Sequence, residues 1–83
     1  MKMINIGRHT MVHRGGIVQI IELADMADKT ILIQAKHEGR LKVLSGRPSR
    51  SAVFLYNGDI TLTPLAARTI FTRMQEMTVE RGK

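Results

Sequence analysis

With 83 residues, no Cys and a single Tyr beside two Phe, the chain is one domain with no disulfide framework and no Cys-based metal site, and its core has to be aliphatic. Such a chain buries only about 60–65% of the surface it exposes when unfolded, and at 43% apolar residues that core is thin for a monomer, which points to homo-oligomerisation as its support. The net charge of +6 favours phosphate backbones or anionic membrane surfaces; no run nears about 18 apolar residues, so no membrane span is expected, and the first six residues lack a signal-peptide apolar segment. The absence of Cys is compatible with the cytoplasm, which is the expected location, with no membrane partner.

Met3-Ile4-Asn5-Ile6 reads as a short strand ended by Gly7, Met11-Val12 as a continuation after a kink, and Gly15-Gly16 as a turn. Ile17 to Leu23 is the strongest β-branched run, and its near-continuous apolarity predicts a central strand. A helix is expected from about Asp25 to His37. Asp25 and Asp28 stand at its positive end, Lys36 and His37 at its negative end, and Gly39 at the C′ position. Leu41 to Leu44 is a strand.

Ser51 to Tyr56, then Asn57-Gly58, then Asp59 to Thr63 predicts a hairpin with a two-residue type I′ turn. That turn pairs Leu55 with Ile60 and Val53 with Leu62, so these four form a core face. Ala52, Phe54, Tyr56, Thr61 and Thr63 fall on the other face, expected to meet a helix or a neighbouring subunit. Thr63 as N-cap and Pro64 as first helical residue open the last helix. Its stripe is Leu65, Thr69, Ile70, Met74 and Met77, with Arg68, Arg73 and Glu76 facing elsewhere and a tail frayed from about Val79. The order β-β-α-β-β-β-α describes a small α+β domain with a mainly antiparallel sheet and two helices.

Catalytic signatures are missing: no G-x-S-x-G elbow, P-loop or H-E-x-x-H occurs. His9 and His13 stand four apart in a segment that reads as strand and turn, and His37 is distant. A metal site needs three or four convergent ligands, so no metal, cofactor, small-molecule substrate or enzymatic role is expected.

The charge is concentrated. Residues 36–50 hold Lys36, Arg40, Lys42, Arg47 and Arg50 against Glu38 alone. Within this stretch Gly46-Arg47-Pro48-Ser49-Arg50-Ser51 is a loop stiffened by Pro48. Arg47 and Arg50 suit bidentate phosphate binding, Ser49 adds a hydroxyl, and Lys36, Arg40 and Lys42 extend a basic stripe upstream. A solvated basic face is the alternative.

These features, in order, resemble the RemA family of bacterial extracellular-matrix regulators. The resemblance rests on Ile4-Asn5-Ile6-Gly7, Met11-Val12, Ile17-Val18, Ala35-Lys36-x-x-Gly39, Gly46-Arg47-x-Ser49-Arg50, Ile60-x-Leu62 and Thr69-Ile70-x-x-Arg73, spanning residues 3 to 74. It implies a DNA-binding transcriptional regulator of biofilm-matrix genes, associated with the nucleoid, whose subunits form a ring with a basic surface on double-stranded DNA. The family's loop has the form G-R-R-T-R; Arg47 and Arg50 match its first and last Arg, Ser49 stands for Thr, and Pro48 replaces the middle Arg. The spacing before Gly46 is one residue shorter. Gly16 replaces a further family Arg, for which Arg14 is the nearest substitute. Two other readings stay open: a scaffold oligomer without DNA binding, and a small RNA-binding module. The latter lacks basic residues alternating with Phe54 and Tyr56.

Overall fold

The computed structural model describes residues 2–7, 9–44 and 47–81, the last six as backbone only. Its elements are β1 (Met3–Asn5), β2 (Met11–His13), β3 (Ile17–Glu22), α1 (Thr30–His37), β4 (Leu41–Val43), β5 (Ser51–Leu55), β6 (Ile60–Thr63) and α2 (Ala67–Arg81), with single 3₁₀ turns at Arg14–Gly16 and Leu23–Asp25. The class is α+β with two helices, as the sequence predicts. β1 and β2 form an antiparallel ribbon, and the other strands form a sheet in the order β3-β5-β6-β4. Among the described strand pairs, β4–β6 alone is parallel.

Both faces of the four-stranded sheet are covered. On one, Ile20 and Val53 join Ile4 and Ile6 of the ribbon segment and Ala67 and Ile70 of α2. On the other, Ala52 and Ile60 meet Leu32 and Ala35 of α1, with Phe54 and Leu62 packed alongside. Each fully buried large aliphatic side chain contributes about 1.5–3 kcal/mol, and few side chains are so buried: Ile4, Ile6, Ile70 and Val53 are the largest apolar ones.

This double burial corrects the reading of Ile17 to Leu23 as a central strand. β3 is an edge strand. A bulge between Ile17 and Gln19 turns both Ile17 and Ile20 toward the ribbon and α2, Leu23 just past the strand packs on the α1 side, and Val18 is exposed. Met11–His13 is likewise a separate strand paired with β1, so the order is β-β-β-α-β-β-β-α.

The hairpin is shifted by one residue from the expected register. β5 pairs with β6 as Phe54↔Ile60, Val53↔Thr61 and Ala52↔Leu62. The loop has three residues: the Leu55 N–H donates to the Asp59 carbonyl and the Gly58 N–H to the Leu55 carbonyl, each at 3.0 Å. Gly58 lies at φ +95° whereas Asn57 does not take positive φ. Only one left-handed residue is needed, which is the Gly-bulge closure and not type I′. A one-residue slip exchanges faces: Val53 and Leu55 stay toward α2, whereas Ile60 and Leu62 turn toward α1. Phe54 does meet a helix, as expected of its face, but Tyr56 is exposed.

Helix α1 starts at Thr30, five residues after the expected start; Lys29 is its N-cap and makes no side-chain cap bond, while Asp28, just before it, closes a side-chain turn onto Thr30. Asp28 Oδ1 accepts from the Thr30 N–H (2.9 Å) and hydroxyl (2.6 Å), holding its carboxyl below the usual range. The other end is as predicted: Gly39 at φ +74°, with Gly39 N–H donating to Lys36 O (3.2 Å) and Arg40 N–H to Ala35 O (2.8 Å), closes a Schellman motif.

Helix α2 begins at Ala67, not Pro64. Thr63 belongs to β6, where its buried hydroxyl donates to the Ile6 carbonyl and accepts from the Leu65 N–H at 3.2 Å. The helix is capped from a distance by Glu22, whose Oε1 accepts from the Ala67 N–H at 2.8 Å. Arg73 turns inward and donates to the Asn5 carbonyl at 2.6 Å. α2 continues to Arg81, past the expected fraying point; the side chains of Glu76 and Met77 lie outside the described residues.

Candidate nucleic-acid interface

The strand directions sort the sheet into two ends. At one end lie the close of β3 (Glu22), the close of β6 (Thr63), the close of β4 and the start of β5 (Ser51). The segment holding Arg47, Ser49 and Arg50 joins β4 to β5 here; Gly46 lies outside the described residues. Arg50 fixes the segment's downstream end: its N–H donates to Thr63 O and its carbonyl accepts from the Leu23 N–H, both at 2.8 Å. Ser51 Oγ donates to Leu65 O at 2.5 Å. The Arg50 side chain is 61% exposed and places Nη2 3.1 Å from Glu22 Oε2. Arg47 and Pro48 are exposed, Ser49 is half-buried, and Arg47 pairs with no described residue. The result is a segment fixed at its Arg50 end that leaves two guanidinium groups exposed to solvent, donors of the kind that bind phosphate oxygens.

The opposite end carries the hairpin loop, the start of β4 and the 3₁₀ turn at Arg14–Gly16, joined by the Tyr56 N–H donating to Gly16 O at 2.9 Å. The predicted basic stripe breaks here. Arg40 is only 34% exposed. It pairs with Glu38 through Nη2 (2.6 Å) and Nε (2.7 Å), and its Nη1 donates to the Gly58 carbonyl. It is a clamp between the end of α1 and the hairpin loop. Its bond with Glu38, helped by Gln34 and by its charge, holds the Glu38 carboxyl below the usual range. Lys42 lies 3.8 Å from Asp59.

Arg40 and Arg50 are therefore separated by the length of β5, roughly 16 Å at about 3.3 Å per residue. Lys36 is exposed on the last turn of α1, which leads into Arg40. Arg14 is exposed at the hairpin-loop end, beside Lys2 and His13. Of the basic-stripe residues and Ser49, the fold keeps Arg47, Ser49 and Arg50 together in one described segment; Lys36, Arg40, Lys42 and Arg14 stand toward the other end. Sequence reasoning misses Glu22 because its partners, Arg50 and Ala67, lie 28 and 45 residues away.

Among the described residues, no group of His, Asp and Glu is placed to hold a metal ion, and no helix is long and apolar enough to cross a membrane. The family model described as RemA-like, extracellular matrix regulatory protein A-like, matches residues 3–74. No curated protein matches the chain.

Proposed function

Because the chain belongs to the RemA-like family, we propose that it is a non-enzymatic, cytoplasmic regulator that binds double-stranded DNA on the nucleoid to control extracellular-matrix genes, acting as a homo-oligomeric ring. The observation that carries this reading is the Arg47–Arg50 loop: two exposed guanidiniums on a backbone pinned at Arg50, at the two positions where the sequence resembles the family's arginine loop. Pinning reduces the ordering entropy that phosphate binding would otherwise cost.

The ring is supported by apolar side chains left on opposite outer layers. Met3, Met11 and Tyr56 are exposed along a groove beside the β1–β2 ribbon, while Ile31, Ile33 and Val43 are exposed on the α1 side of the sheet. Two unlike patches on opposite sides suit a head-to-tail interface, which closes into a ring when its rotation permits. Repetition of a two-arginine site around a ring raises avidity without new chemistry.

The test is fluorescence anisotropy of a labelled duplex against salt, with light scattering of the same samples. Arg47→Ala/Arg50→Ala is expected to lose affinity about tenfold or more. Its salt slope is expected to fall by about 0.9 for each phosphate that an engaged subunit no longer neutralises, with the oligomer intact. Wild-type binding by this variant would leave the scaffold reading, which the internal pairing of Arg40 and Lys42 favours. Dissociation into 9.3 kDa chains would assign the arginines to the subunit interface.

A further inference from the structure

The carboxylate of Glu22 divides its two oxygens between two tasks. Oε1 accepts the Ala67 N–H at 2.8 Å and so is itself anchored to the start of α2, where the helix dipole favours an anion. Oε2 holds Arg50 Nη2 at 3.1 Å. Glu22 is only 23% exposed while Arg50 is 61% exposed, so the anchor is the sheltered partner and the guanidinium the outward one. A single bond through Nη2 leaves most of the guanidinium's N–H donors unused. The backbone on both sides is also fixed, because Leu23, next to Glu22, donates to the Arg50 carbonyl.

We propose that Glu22 is a positioning residue for phosphate recognition: it holds the Arg50 guanidinium in one outward pose, so that a nucleic-acid phosphate meets a pre-set donor fork. This rests on the reading of Arg50 as a phosphate-binding residue. The competing effect has the opposite sign, since a carboxylate this close also repels phosphate. Removing Glu22 therefore tightens binding if repulsion dominates and weakens it if positioning dominates.

Glu22→Gln separates the two tasks. The amide oxygen can still accept from Ala67, whereas the charge that holds Arg50 is gone. Duplex anisotropy is measured for wild type, Glu22→Gln, Arg50→Ala and the double variant, each across a salt series and each checked for assembly. Positioning predicts that Glu22→Gln weakens binding about two- to tenfold per engaged subunit, the cost of ordering one long side chain. The salt slope stays unchanged, because Arg50 keeps its charge. In the Arg50→Ala background the same substitution gives no loss.

Equal or tighter binding by Glu22→Gln, beside weaker binding by Arg50→Ala, overturns the positioning role and leaves Arg50 a phosphate-binding residue. An equal loss in both backgrounds also overturns it, by showing that Glu22 acts through the fold. Wild-type binding by Arg50→Ala instead removes the underlying reading. Should Glu22→Gln not fold, Glu22→Asp runs the same cycle: it keeps the repulsive charge but shortens the arm by one methylene, so a loss that requires Arg50 supports positioning, and no loss, or an equal loss in both backgrounds, overturns it.

Discussion

The two ends of the four-stranded sheet differ in how they hold their arginines, although the hairpin-loop end, with Arg14, Lys36, Arg40 and Lys42, gathers more of the cations than the end with Arg47 and Arg50. At the hairpin-loop end Arg40 is consumed by Glu38 and the Gly58 carbonyl, and Lys42 faces Asp59. At the other end Arg47 points to solvent and Arg50 is steadied by Glu22 while remaining mostly exposed. The positive stretch that stands out along residues 36–50 is thus one structural clamp and one presentation loop, a sheet length apart. Charge density along a chain does not locate a site; what each cation is paired with, and how buried that pair is, decides it.

The difference can be tested first through the backbone. Gly7, at φ +122°, sits against the loop end, and an added Cβ would lie 2.8 Å from Thr63 Oγ1. Gly58, at φ +95°, sits at the other end, where a Cβ would meet Arg40 only at 3.7 Å. Gly7→Ala combines strain with overlap and is expected to cost about 2–4 kcal/mol. Gly58→Ala carries strain alone, about 1 kcal/mol. Urea midpoints at one fixed protein concentration measure both, and equal costs would mean that the loop end is no more tightly packed than the hairpin.

Arg40→Ala is the next largest effect. It is expected to cost about 1 kcal/mol, the value of charged hydrogen bonds discounted for partial exposure, while duplex affinity and salt slope change little. A loss of DNA binding with unchanged stability would put Arg40 in the interface and erase the contrast between the ends.

The smallest effect is in acid. The carboxyls of Asp28 and Glu38 both lie below their ordinary range, through Thr30 and Arg40 respectively. A depressed folded-state carboxyl adds stability that is present above its unfolded pKa and lost as the pH falls through the folded one. The stability gap between wild type and Glu38→Gln is therefore expected at neutral pH and to close below about pH 4. Carboxyl NMR titration in Arg40→Ala should move Glu38 upward and leave Asp28 where it is, since only Glu38 depends on the clamp.

What is legible in the sequence is local. Gly39 closes α1 as expected, because a Schellman motif is built from neighbouring backbone groups. Arg47, Ser49 and Arg50 fall in one loop, as their spacing and Pro48 suggest. The hairpin stands where it is expected but in another register. Asn57-Gly58 fits either turn, and with both sheet faces buried the alternation of Ile60-Thr61-Leu62 does not say which face meets which core. The Glu22 links to Arg50 and Ala67, and the parallel β4–β6 pair, depend on neighbours that meet only once the chain is folded.

The distant cap on α2 also bears on how the domain comes apart. A helix whose first amide is held by its own neighbouring side chain can fray and re-form without disturbing anything else. The Ala67 amide is held instead by a carboxylate at the end of β3, so it is released when that strand leaves β5. Its hydrogen exchange should then report opening of the sheet edge, on a slower clock than ordinary helix fraying. One backbone proton, far along the chain from β3, becomes a timer for the unfolding of the strand that steadies Arg50.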